Sequence, residues 1–134
     1  MLLEQDGFSP LLITDNGPGD LNPALKAVTY VGGFGTFDVN VATGLSGSPG
    51  TAVLDTTWNV SSSTGGHLTI TVGDTGFSSP ARTSNPLTLT SVVAGTLRGG
   101  GWGAVRAYAD PSNDQFGQAV AAGLQGPFQD GGYF

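Results

Sequence analysis

Apolar and polar side chains alternate along most of this chain, and a period of two marks strands that bury one face. The alternation is cleanest over residues 67–74, where Leu68, Ile70 and Val72 interleave with Thr69 and Thr71. Over residues 37–43, Phe37, Val39 and Val41 face one way, and Asp38 and Asn40 the other. Residues 52–61 repeat the pattern, with Leu54, Thr56, Trp58 and Val60 sharing a face; a tryptophan so placed is read as a plug in a core. Further strands are expected over residues 24–33, over residues 87–95 with Leu87, Leu89 and Val93 inward, and over residues 102–110. In the last of these Trp102, Ala104, Arg106 and Tyr108 lie opposite Val105 and Ala107.

Turn-forming stretches separate these segments: GGFG at 32–35, GLSGSPG at 44–50, SSSTGG at 61–66, a Gly/Ser/Pro-rich run at 75–86, RGGG at 98–101 and DPSND at 110–114. Only residues 115–124 show a helical recurrence, through Phe116, Val120 and Leu124, and Gly117 and Gly123 weaken it. Short alternating strands between regular turns predict an all-β, single-domain antiparallel β-sandwich, jelly-roll-like or Ig-like, with little helix. The expected domain covers residues 11–134. Residues 1–10 form an N-terminal arm whose Leu2, Leu3 and Phe8 either dock on a sheet or hang loose.

The stretch LLITDNGPGDLNP, residues 11–23, changes the picture from architecture to chemistry. Leu11, Leu12 and Ile13 suit a pleated surface, and the Asn16-Gly17 pair tolerates positive φ. Asp15, Asn16, Asp20 and Asn22 then gather side-chain oxygens in one loop, as a hard cation such as calcium requires. The competing reading is that these oxygens cap turns by accepting nearby backbone N–H groups. Capping stands ahead, because the spacing lacks the bidentate Glu and the ordered acidic series of a calcium loop.

At 134 residues the chain is long enough to bury one core unaided. Its formal net charge is −6, with only four basic residues, Lys26, Arg82, Arg98 and Arg106. That balance disfavours nucleic acid and anionic membrane surfaces as partners. Charged residues make up 10% of the chain and Gly reaches 23 residues, so its polarity is carried by hydroxyls and backbone, as in many extracellular β proteins. Cysteine is absent, which rules out disulfides and thiol chemistry. No apolar run approaches the roughly 18 to 20 residues of a membrane span. The opening MLLEQDG has neither the basic nor the long apolar region of a signal peptide, so the expectation is either a cytoplasmic chain or a fragment relieved of its targeting segments. An ending on Tyr133 and Phe134 reads as a chain cut in mid-strand.

Catalytic signals are weak. His67 is the single histidine and stands at the start of a strand, where an exposed polar residue is ordinary. The carboxylates are scattered through turns, RGGGWG at 98–103 lacks the lysine and hydroxyl of a phosphate loop, and one imidazole does not make a transition-metal site. Asn59-Val60-Ser61 fits the glycosylation pattern, which three residues reach by chance. Trp102 and Tyr108, two aromatics on one strand face, are the candidate platform for stacking on a sugar.

Four segments carry a resemblance: ITDNGPGDLNP at 13–23, AVTYVGGFGTFDVNVATGLS at 27–46, LTITVGDTGF at 68–77 and YADPSNDQFG at 108–117. On these the chain resembles a group of uncharacterised secreted bacterial proteins that often carry a PEP-CTERM sorting tail, the signal read by exosortase. The resemblance implies export and a surface or matrix role, and brings no catalytic residues with it. The resemblance leads one to expect an export signal ahead of these segments, and further strand-forming sequence and a sorting tail after GPF at 126–128.

The functional expectation is therefore a non-enzymatic extracellular structural or self-associating surface protein, a filament subunit assembled by strand addition, with the N-terminal arm or the Phe-rich C-terminus as donor. The alternative is a calcium-assisted polysaccharide-binding module that uses the Asp15, Asn16, Asp20 and Asn22 loop or the Trp102 and Tyr108 face.

Overall fold

A computed structural model describes residues 1–48, 51–76 and 89–131, with the backbone alone for 44–48 and 51–52. The fold is all-β and sandwich-like, and every strand pairing in it is antiparallel. The described residues contain no helix. The chain divides into two compact units, Met1–Ala81 and Arg82–Phe134.

In the first unit, β1 (Leu2–Gln5) lies between β2 (Leu11–Leu12) and β6 (Leu68–Thr71). Leu3 is paired with Leu11 on one side and Ile70 on the other, which sets three branched side chains in one row on one face. Met1 and Ile13 exchange both backbone hydrogen bonds, at 2.8 and 2.9 Å, and lengthen the ladder by one pair. The N-terminal segment is thus the middle strand of a sheet, with Leu3 wholly buried.

The second sheet runs β3 (Thr29–Phe34), β4 (Phe37–Ser48), β5 (Thr51–Ser62). Its core-facing rows read Tyr30, Val41, Trp58 and then Gly32, Val39, Val60. Met1, Leu3 and Ile13 from the first sheet meet Phe34, Val39 and Val41 from the second in one buried cluster. Burying each such side chain contributes about 1.5–3 kcal/mol. The Gln5 amide fastens the layers: Oε1 accepts Thr36 N–H at 3.0 Å and Nε2 donates to Thr36 Oγ1 at 2.9 Å.

Several boundaries differ from the alternation. The strand expected at 24–33 begins at Thr29 and runs through Gly32 and Gly33, so the turn falls at Gly35-Thr36. Gly35 has φ +59°, the conformation a two-residue hairpin asks of its first position. The stretch 44–50 was expected to be a loop, yet β4 continues to Ser48 because each residue finds a partner in β5. Residues 49 and 50 lie outside the described residues.

Trp58 sits on the core-facing side as its parity requires, but on an outer strand; it is 42% exposed and is not the expected plug. The 67–74 segment forms strand only over Leu68–Thr71. The irregular run at 75–86 lies mostly outside the described residues. Of the strand expected at 87–95, residues 87 and 88 fall outside the description and 89–95 are not strand.

In the second unit, β7 (Trp102–Val105) pairs with β10 (Gln125–Gln129), and β8 (Tyr108–Ala109) with β9 (Val120–Ala121). The strand expected at 102–110 is therefore split in two, and Val105 and Ala107 are less exposed than Trp102, Ala104, Arg106 and Tyr108 opposite them. No helix forms at 115–124: Phe116 has φ +60°, outside helical space. GPF at 126–128 lies within β10 and contains a cis Gly126-Pro127 bond.

Candidate functional site: a capped edge and a bare edge

The oxygen-rich loop is built on two tight turns. Gly17 N–H donates to the Thr14 carbonyl at 2.9 Å, with Asn16 at φ 54°, the positive value that Asn tolerates best among non-glycine residues. Asp20 is its centre. Oδ1 accepts the N–H groups of Asn22 and Thr29, both at 2.9 Å, and Oδ2 accepts Asn16 N–H at 2.8 Å. Asp15 Oδ2 accepts Lys26 N–H at 2.9 Å, Asp15 Oδ1 accepts the Asn16 amide at 3.0 Å, and Asn22 Oδ1 accepts Ala24 N–H at 3.0 Å. Partial burial raises the Asp20 pKa; the Thr29, Asn22 and Asn16 N–H groups and the nearby Met1 amino group lower it, and the net direction is down.

The structure thus brings Asp15, Asn16, Asp20 and Asn22 together and points each one's side-chain oxygen at an N–H donor, apart from that of Asn16, whose side chain donates. Among the described residues no group of three or more His, Asp or Glu gathers as metal ligands do. The donor set fits turn capping better than a calcium cage.

What this capping does is to cover an edge. Thr43 N–H donates to the Val28 carbonyl at 2.9 Å, so Val28 bonds toward β4 and its neighbour Thr29 points outward. That outward N–H is taken by Asp20 Oδ1, and the Thr29 carbonyl accepts Leu21 N–H at 2.8 Å. Farther along, the Gly33 carbonyl accepts the Tyr30 hydroxyl at 2.9 Å. The free side of β3 is thus capped at Thr29 and at the Gly33 carbonyl by loop and side chain.

The opposite edge of the same sheet is different. Thr43 is spent on Val28, so Thr56, which faces Thr43 across the ladder, aims its N–H and C=O away from β4. The same phase sends the backbone groups of Leu54, Trp58 and Val60 outward. Among the described residues no strand pairs with that side of β5. The strand is twelve residues long, pairs with β4 without a bulge, contains neither Lys nor Pro, and carries one charge, Asp55. Val53, Leu54 and Trp58 along it are 44%, 43% and 42% exposed. Past Thr43, β4 and β5 continue as a two-stranded ribbon beyond the end of β3.

Trp102 and Tyr108 are both exposed, on β7 and β8. Trp102 borders an open hollow of about 560 Å³ with Gly100, Gly101, Pro127, Gln129 and Asp130, where Asp130 Oδ2 accepts Gly100 N–H at 2.7 Å. Tyr108 does not line it. His67 is exposed just ahead of β6. The bare edge was missed in the sequence because parity shows which face a residue takes and not which strand ends a sheet. Its signal was present in the run 51–62, which has neither Lys nor Pro.

Comparison of the chain with protein-family models, with curated proteins and with solved structures gives no match.

Proposed function

We propose that this chain is a non-enzymatic, self-associating structural protein of the cell surface or extracellular matrix, joined to its neighbours by strand addition. The observation that supports this is the edge of β5. Exposed edge strands invite pairing, and proteins that stay monomeric keep them short, charged, bulged or covered. β3 is capped at Thr29 and at the Gly33 carbonyl, whereas β5 is long, unbulged and, among the described residues, uncovered, with Asp55 its one charge. The low charge favours the same outcome, since Thr, Ser and Asn surfaces desolvate at less cost than ionised ones. An open-ended filament needs a second contact, and the ribbon past Thr43 provides one.

The donor expected at the N-terminus is replaced in this reading, because residues 2–5 already stand between two strands. The test is sedimentation velocity of the wild type and Thr56→Pro. A proline at 56 removes an N–H that points away from β4, so the fold persists while pairing is blocked. The expected result is concentration-dependent growth for the wild type and a monomer for the variant. A wild type that stays monomeric at its highest soluble concentration would overturn the reading.

A second reading has one observation in its favour, the exposed Trp102 beside Gln129 and Asp130 at the open hollow. An aromatic face with an amide and a carboxylate suits a polysaccharide, which stacks on the ring and bonds through its hydroxyls. Affinity electrophoresis against soluble glycans, with Trp102→Ala as control, separates this reading from the first.

A further inference from the structure

We infer that β5 pairs with β5 of a second copy, antiparallel and about a twofold axis at Thr56. The inference rests on the self-association reading and specifies its partner and register. Any antiparallel pairing that keeps both core-facing sides on one side of a joined sheet matches residues of like parity. The outward backbone groups belong to Leu54, Thr56, Trp58 and Val60, so the hydrogen-bonded pairs must come from this set.

An axis at Thr56 sets Leu54 against Trp58 of the second copy and Trp58 against its Leu54. The two core-side apolar residues left 43% and 42% exposed on this edge then cover each other twice. Cross-strand aromatic and aliphatic pairs of this kind are favourable. On the outer face Asp55 meets the hydroxyl of Thr57, whereas an axis at Asp55 would set two carboxylates directly opposite, which is unfavourable. An axis at Trp58 leaves Leu54 against Ser62. An axis at Thr57 sets Trp58 against Thr56 and leaves the two exposed apolar side chains apart. The register at Thr56 alone joins both apolar residues and separates both charges.

Absence of cysteine makes the test direct, since one introduced thiol reports one position. About a twofold axis at Thr56, the two Thr56 Cα atoms lie about 5.5 Å apart, within disulfide reach, while the two Thr57 Cα atoms lie beyond the roughly 7 Å limit. Under mild oxidation Thr56→Cys is expected to run as a covalent dimer and Thr57→Cys as a monomer, each checked for a native circular dichroism spectrum. An equimolar mixture of Leu54→Cys and Trp58→Cys, expected to give the mixed dimer, keeps the test open if Thr56→Cys misfolds. Cross-linking of Thr57→Cys in place of Thr56→Cys, or of both equally, would overturn the register and leave self-association standing. A wild type that fails to associate in sedimentation removes both.

Discussion

Replacing Asp20 with alanine removes the acceptor of three backbone N–H groups at once. The Asn16 donor is exposed and water can replace its bond; those of Asn22 and Thr29 are part-buried. Counting about 1 kcal/mol for each of the latter two, the typical net contribution of an intramolecular hydrogen bond, Asp20→Ala should destabilise the first unit by about 2 kcal/mol. Asp20→Asn, with its carbonyl oxygen in the Oδ1 position, keeps both of these acceptor bonds and loses the charge, so it should cost less than Asp20→Ala. The folded pKa of Asp20 is depressed, so its contribution is present above the unfolded value and lost as pH falls through the lower folded value. The wild type should therefore lose stability below about pH 4, the ordinary carboxylate range, and Asp20→Asn should lose less over that window. Urea melts followed by tryptophan fluorescence, repeated across that window, measure both effects. A change under about 0.5 kcal/mol at neutral pH, within the range of an ordinary surface substitution, would show that the loop is not fastened by these bonds. Asp20→Ala also uncovers the Thr29 N–H on β3, so the variant should aggregate more readily than the wild type; unchanged solubility would remove the loop's part as an edge guard.

Three shorter expectations follow from the same geometry. Leu3→Ala, at a wholly buried position in the middle strand, should cost about 2–5 kcal/mol by chemical denaturation; a neutral result would take the N-terminal segment out of the core. Gln5→Ala severs two bonds between the layers and should cost about 1–2 kcal/mol in the same assay, while Gln5→Glu, which keeps the acceptor for Thr36 N–H, should cost less. Millimolar calcium should leave the melting temperature in place; a ligand at a hundred times its dissociation constant would add about 2.7 kcal/mol, and a shift of that size would restore Asp15 and Asp20 as ligands.

Much of the fold was legible in the alternation, because parity is local: Val39 and Val41 are buried, Asp38 and Asn40 exposed, and Val105 and Ala107 lie inward of Trp102 and Tyr108. Strand ends were less legible. Gly32, Gly33 and residues 44–48 read as breakers, yet a partner strand supplies hydrogen bonds that glycine and serine accept as well as any residue. Phe116, Val120 and Leu124 mimicked a helical period, and the positive φ of Asn113 and Phe116 prevents one. The loop's capping role was legible from its residue types. That its Asp20 would cover Thr29, nine residues on, was not, because the contact depends on the sheet already being formed.

Amide exchange along β5 at two protein concentrations tests the bare edge most directly. The amides of Thr57 and Asn59 point into β4 and should be protected in both samples. Those of Leu54, Thr56, Trp58 and Val60 should exchange quickly in the dilute sample and slow together in the concentrated one. Fast exchange of these four at every concentration, or protection of all four at the lowest, would contradict an edge left open for a second copy.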